Sequence, residues 1–241
     1  MGEASISSSR DRLYEAYATN HAGYGNGEAG ALIYRRDIRP ALPLPGFGPV
    51  LDIGCGQGHL VSLMLADGYN AEGVDVSAEQ VRIAWSSGLD RVRLGDYREL
   101  MNARPGQLGA ITATDVLEHL PKPDVLDTFD RAMNALTPGG VFIARVPNAA
   151  SPLGGRIRYG DFTHESSHTA TSVRQVAAAA GFSSVTVKAC PPVVHGLASA
   201  TRLMIWKSVS AYWKMALVAE TGMVRGHIVT QNLTFAARKA G

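Results

Sequence analysis

The sequence predicts an α/β protein with helices on both faces of a doubly wound, mostly parallel sheet. Three observations predict it. Short apolar runs alternate with stretches of helical periodicity from residue 50 onward. A glycine-rich turn, Gly54-Cys55-Gly56-Gln57-Gly58, follows the first apolar run. The second run ends in an acid, Asp75, which lies 21 residues after Gly54.

The elements follow in order. A helix is expected from about Ser9 or Arg10, carrying Leu13, Tyr14 and Tyr17, with a flexible glycine-rich segment at 23–30. A second helix runs through Leu32, Ile33, Tyr34 and Ile38 into a proline-rich loop ending at Pro49. Val50 to Ile53 is the first strand, and Leu60, Val61, Leu63, Met64 and Leu65 mark a helix that Gly68 ends. Tyr69 to Val76 is the second strand. Ser77, with Gln80 three residues on, caps a helix to about Ser87. Arg91 to Leu94 and Gly109 to Thr114 are strands three and four. Asp124 is the expected cap of a helix over 124–136. Leu136-Thr137-Pro138-Gly139-Gly140 turns into strand five, Val141 to Val146. Residues 147–169 form a loop, and Thr171 or Ser172 caps a helix to Ala180. Ser184 to Ala189 is strand six, residues 197–220 a helix, and His227 to Ala236 the last strand.

Glycine at alternate positions removes every Cβ from the turn after the first strand, so a ligand can approach the backbone. The first N–H groups of the next helix also lack intrahelical partners there. The spacing G-x-G-x-G departs from the G-x-G-x-x-G of dinucleotide enzymes, since position 59 is His. Asp52 stands two residues before the first glycine. It suits a cationic group such as an amino-acid ammonium better than a pyrophosphate.

This Asp-x-Gly-x-Gly-x-Gly stretch resembles motif I of the class I S-adenosylmethionine-dependent methyltransferases. Asp75, Asp96, the segment Asp115-Val116-Leu117-Glu118-His119 and the Leu-x-Pro-Gly-Gly turn resemble later motifs of that family, in the same order. The resemblance is close over about residues 45–190. It implies a Rossmann-like sheet of seven strands with the seventh antiparallel, a helical lid over residues 1–45 and a substrate-side helix within 191–241, all in one domain. It also implies S-adenosyl-L-methionine as cofactor. Asp52, Gly54, Cys55 and Gly56 would hold the methionine moiety. Asp75, with Val76 beside it, would hold the ribose, and Asp96 with Tyr97 the adenine. Thr114, Asp115 and Val116 complete the set at the end of strand four. Tyr14, Tyr17, His21 and Tyr24 become lid candidates, with plain aromatic packing as the alternative.

Methyl transfer to a hydroxyl also requires loss of a proton, for which histidine is suited near neutral pH. His119, beyond strand four, and His164, in the loop after strand five, are the candidate catalytic bases, with Asp115 and Glu118 as alternatives. His168 reads as an exposed loop histidine. His164-Glu165-Ser166-Ser167-His168 matches the zinc-protease pattern H-E-x-x-H, but its Ser- and Thr-rich surroundings disfavour the helix that such a site needs, so no metal is expected. Cys55 has no base near it in sequence and reads as a small residue in a tight turn.

Ten Lys/Arg against three Asp/Glu make residues 151–241 strongly basic, whereas residues 1–150 hold 13 against 18. That asymmetry fits an anionic small-molecule substrate or a membrane surface. No dense basic run with interleaved aromatics indicates nucleic acid. No stretch of about 18 uncharged apolar residues predicts a span. The polar N-terminus and two cysteines, Cys55 and Cys190, point to a reducing, cytoplasmic setting. The helix at 197–220, with Trp206 and Trp213, could cap the pocket, pair in a homodimer or touch a membrane. The expected activity is O-methylation of a sugar or glycan precursor. O- or N-methylation of an aromatic or polyketide product, a non-catalytic cofactor-binding protein, and an NAD-dependent oxidoreductase are the alternatives.

Overall fold

The computed structural model describes residues 27–241. The expected helix near residue 10 and the lid candidates Tyr14, Tyr17, His21 and Tyr24 lie outside the described residues. Seven strands, β1 (Val50–Ile53), β2 (Ala71–Asp75), β3 (Val92–Leu94), β4 (Leu108–Thr114), β5 (Leu136–Pro147), β6 (Ser184–Ala189) and β7 (Asn232–Arg238), form one sheet. Their order is β3-β2-β1-β4-β5-β7-β6. β1 is parallel to β2 and β4, and β7 runs antiparallel to both β5 and β6.

Burial explains the order. All four residues of β1 and six of seven in β4 are buried, as expected of central parallel strands covered on both faces. β6, with exposed Ser184, Thr186-flanking positions half-buried and Lys188 and Ala189 at its end, stands at the edge. On one face Tyr34 and Ile38, in the π-helical turn that follows α1 (Glu28–Ile33), and α2 (His59–Ala66) cover Val50, Ala110 and Ile143. On the other, α4 (Tyr97–Asn102), α5 (Lys122–Ala135) and α7 (Ala170–Ala179) cover Leu51, Ile111 and Phe142. α3 (Ala78–Ser86), α6 (Gly154–Arg158) and α8 (Leu197–Thr221) complete the described α-helices.

Several boundaries differ from expectation for identifiable reasons. The Thr137-Pro138-Gly139-Gly140 turn is an irregularity inside β5: Leu136 pairs with Leu108 and Val141 with Ala110, with a register shift between. Asp124 is not the cap of α5. Pro121 occupies that position, and the Asp124 carboxylate instead meets Arg98 at 2.9 Å. Thr169, not Thr171 or Ser172, caps α7, and Ser172 closes the reciprocal capping box. β7 starts at Asn232 rather than His227. The Asn148 amide takes the carbonyls of Ile228 and Thr230, at 2.7 and 2.8 Å, so this stretch has other partners than a strand ladder.

Phe129 of α5 anchors one core layer. It lies against Phe142 and Phe235 with ring centroids 5.2 and 5.5 Å apart. Phe129→Ala removes a fully buried ring. It is expected to cost about 3–5 kcal/mol in urea unfolding, the usual cost of deleting a core aromatic.

Candidate functional site

The ends of β1, β2 and β4 meet at one edge because Ile53 registers with both Val74 and Ala113. This is the carboxyl edge, where ligands bind in open α/β sheets. Gly54, Gly56 and Gly58 all take left-handed backbone angles, with φ of 62°, 53° and 75°. A Cβ on Gly54 would stand 2.5 Å from Val116 Cγ2, so the turn and the end of β4 close on each other. A Cβ on Gly58 would run into Leu89 and Val92.

The loop is held from below. Asp75 accepts hydrogen bonds from the Gly56 and Ser77 amides, both at 2.8 Å. Burial nevertheless outweighs those bonds and raises its carboxyl above the usual range. Asp52 is buried, accepts a 2.6 Å hydrogen bond from Thr112 Oγ1, and is pushed up by burial to about 7. Cys55 packs against Gly73, where a Cβ would lie 2.6 Å from its sulfur. Burial pushes its thiol upward, away from nucleophilic use.

Val76 stands 62% exposed beside Asp75, an apolar surface at the strand end. Asp96 caps α4, accepting from the Arg98 amide at 2.8 Å, and its carboxylate remains partly exposed. Tyr97 departs from the expected adenine contact. Its ring is in the core, and its hydroxyl pairs with Thr128 Oγ1 at 2.7 Å. The chain turns inward at α4, a helix the sequence reading did not foresee. Cβ-free turns, a carboxylate beneath them and an exposed apolar side chain beside that carboxylate fit an adenosyl amino acid.

Beyond Thr114, Asp115 is the one non-glycine residue among those described with positive φ, 56°. That conformation costs an L-residue energy and marks a constrained turn. Its amide donates to the Arg145 carbonyl at 3.0 Å, and its carboxylate meets the Arg145 guanidinium at 2.5 Å. The Asp115 charge holds Arg145 firmly protonated. The turn delivers Val116 to the glycine loop and a 3₁₀ turn, Leu117–His119, to the loop after β5.

There the Glu118 carbonyl accepts from the amides of Glu165 and Ser166, at 2.7 and 3.0 Å. His119 and His164 meet edge to face, ring centroids 4.8 Å apart. His119 Nδ1 lies 2.8 Å from Thr163 Oγ1, which lies 2.6 Å from Asp161 Oδ1. Burial pushes the Asp161 carboxyl up, but the Thr163 hydroxyl and amide and the neighbouring histidines outweigh it, leaving it below the usual range. Ionised Asp161 can only accept, so the single Thr163 hydroxyl hydrogen is donated to it. Oγ1 must then accept from His119 Nδ1–H, which puts the ring's basic lone pair on Nε2.

The structure thus brings together the two expected histidines. It adds Arg145, which the sequence does not single out, and gives individual places to Asp161 and Thr163, whose Asp-Phe-Thr-His-Glu stretch the resemblance assigns only in general to the substrate side. A lone Arg within an apolar strand was the available signal for Arg145, and the Asp-Phe-Thr-His-Glu stretch for the other two. His168 differs from expectation. It is buried, its amide donates to Pro147 O, and burial lowers its basicity. The H-E-x-x-H segment is not helical. His164 instead joins Glu118 and His119, whose ligand atoms all lie within 4.8 Å of one another, a set able to hold a metal ion. Among the described residues Glu118 Oε2 is buried without a hydrogen-bond partner, and burial, then Asp115, raises its carboxyl well above the ordinary range.

Comparison with known proteins agrees with this geometry. Residues 29–187 match the family model described as a methyltransferase domain. The ubiquinone biosynthesis O-methyltransferase of Bordetella bronchiseptica is 38% identical over 97 residues, covering 38% of this chain and 39% of that protein. Its counterpart in Xylella fastidiosa is 31% identical over 115 residues, covering 45% and 46%. The chain thus spans less than half the length of these curated relatives. A SAM-dependent methyltransferase from Archaeoglobus fulgidus superposes with a TM-score of 0.69 at 19% identity, over 94% of this chain and 99% of that one. Phosphoethanolamine N-methyltransferase 2 of Haemonchus contortus, in complex with phosphomonomethylethanolamine and S-adenosylhomocysteine, gives 0.61 at 18%, over 95% and 60%. At those identities the likeness is one of fold.

Asp52 sets a pH dependence. A cationic ammonium favours its ionised form, which grows as pH rises through about 7. Calorimetric affinity for S-adenosylhomocysteine is expected to strengthen about tenfold from roughly pH 6 to pH 8. Asp52→Asn should flatten that dependence.

Proposed function

This chain belongs to the methyltransferase-domain family of class I S-adenosylmethionine-dependent enzymes, and we propose that it methylates a hydroxyl of a small molecule, foremost a sugar or glycan precursor. One observation carries the proposal: the Asp161–Thr163–His119 chain prepares a histidine base beside the end of β4. The donor, S-adenosyl-L-methionine, supplies an electrophilic methyl. Asp75 would take the ribose hydroxyls, the glycine loop and Asp52 the amino-acid part, and Val76 the adenine face. His119 Nε2 accepts the acceptor's hydroxyl proton. The resulting imidazolium keeps its Nδ1–H on Thr163 and gains the Coulomb attraction of Asp161.

The acceptor class follows from the surroundings. Hydroxyl, carboxylate and imidazole groups at the loop favour a polyhydroxylated molecule. Phe162, 92% exposed next to Asp161, offers a flat apolar surface such as a sugar ring stacks on. The basic C-terminal third supports an anionic carrier. The curated relatives are named ubiquinone biosynthesis O-methyltransferases, which favours O-methylation of an aromatic product as the second reading. The convergence of Glu118, His119 and His164 favours a separate reading of the chemistry, in which a divalent cation rather than His119 lowers the acceptor's pKa.

Expected outcomes separate these readings. His119→Ala should lower kcat by about 10²–10⁴. It should leave S-adenosylhomocysteine binding intact, whereas Asp75→Ala should weaken that binding. A wild type inactivated by chelation and restored by a divalent salt would move the assignment to the metal. A Thr163→Val variant should lose activity and shift the acid limb of its pH–rate profile to lower pH, and Thr163→Ser should restore both. Rates with a panel of sugar and catechol acceptors decide the substrate class.

A further inference from the structure

We propose that α8 is an interfacial helix that docks the substrate edge of the sheet on an anionic lipid surface. The helix is 25 residues long, about 37 Å, and Ser199 is its one buried residue. Its inner stripe, Ser199, Leu203, Trp206, Ser210 and Leu217, is buried or half-buried against the body. At about 100° per residue the opposite half of the cylinder carries Leu197, Met204, Ile205, Tyr212 and Met215, each more than half exposed. No charged residue falls on that outward half. Arg202, Lys207 and Lys214 flank it. An ordinary surface helix has the inverse pattern, polar outward and apolar inward.

A second feature lies under the same helix. A groove of about 450 Å³ separates α8 from the segment before β7. Leu203, Trp206 and Ile228 give it apolar walls, and Lys207, Lys214 and His227 bring cationic or ionisable groups to it. Apolar walls with cations fit an amphiphile bearing an anionic head group. Charge also argues against a second copy of this chain as the occupant. Between residues 197 and 227, Arg202, Lys207, Lys214 and Arg225 face the single acid Glu220, so self-pairing would bring like charges together. No described helix is long and apolar enough to cross a membrane, so α8 would lie in the surface.

Topology links this helix to the candidate site. Ala189, at the end of β6, pairs with Leu233, and Asn232 pairs with Pro147 at the end of β5. Both roots of the α8 connection therefore leave from the carboxyl edge, which also carries the glycine loop and His119. The Asn148 amide joins the loop after β5 to the returning strand. A docked α8 sets that edge against the lipid head groups, where a lipid-linked acceptor would be presented. The docking stands apart from the proposed reaction and is tested without it.

The full chain is sedimented with vesicles of phosphatidylcholine alone or of an equal mixture with phosphatidylglycerol. Binding to the mixed vesicles is expected, with weak binding to the neutral ones. With Trp85, Trp206 and Trp213 each replaced by Phe, emission from a Tyr212→Trp probe on the outward half should move to shorter wavelength. Lys207→Gln and Lys214→Gln should each weaken binding about fivefold. Ile205→Glu with Tyr212→Glu should abolish it while S-adenosylhomocysteine binding, which reports the fold, is unchanged. Three results overturn the proposal: a wild-type chain that stays off both vesicle types, undiminished binding by the double glutamate variant, or a dimer that this variant splits.

Discussion

The parallel register of β1 with β2 and β4 is the constraint on which the rest of the molecule depends. Asp52 sits opposite Gly73 on one side and Thr112 on the other. Gly73 leaves room for Cys55, and Thr112 supplies the hydroxyl that meets the buried Asp52 carboxyl. A one-residue slip would turn each of these side chains to the opposite face. It would also separate the glycine loop from Val116, whose methyl occupies the space that a Cβ on Gly54 would fill. The glycine loop, Asp75 and the post-β4 turn are thus positioned by one set of backbone hydrogen bonds.

That edge gathers Asp96 and five further acids, and the structure treats the five differently. Burial raises Asp52, Asp75 and Glu118 toward their neutral forms. Asp115 is matched by Arg145. Asp161 stays below the usual carboxylate range because Thr163 bonds to it twice and His119 and His164 lie near it. Among the described residues, Asp161 and His164 on the loop and Glu118 beside it lie close to the His119 ring, and Asp115 and Arg145 act in turn on Glu118. Of the carboxyls, Asp161 is the one joined to the imidazole through a hydroxyl. A histidine base is most effective when its tautomer is set before substrate arrives, and that geometry sets it.

The sheet and the cofactor loop were legible because they rest on local rules. Alternating glycines, an acid at a strand end and the Ser77 cap each leave a signature within a few residues. The caps of α5 and α7 were misplaced because several neighbouring residues could cap. Contacts from distant elements decided, such as Arg98 drawing Asp124 aside. Tyr97 could have faced a ligand or the core. A short helix at residue 97 and a hydroxyl partner 31 residues away chose the core. The sequence leaves His119 and His164 both open as the proposed base, and the His119 tautomer is invisible in it, since it rests on a loop 44 residues further along the chain.

α8 raises a different question, because the fold does not require it. β6 and β7 are antiparallel neighbours, and about two residues suffice to join such a pair. The chain instead inserts everything from Cys190 to Gln231. The core gains little from the insertion: the buried residues near it are Ser199, Val229 and Thr230, and the aromatic layer around Phe129 is complete without it. The outward half of α8 exposes large apolar groups that a purely structural connection would replace with polar ones at no cost to packing. The stability of the sheet therefore does not account for the sequence of this helix. What the helix adds is an apolar face flanked by cations at the carboxyl edge of the sheet, which also carries the glycine loop and His119.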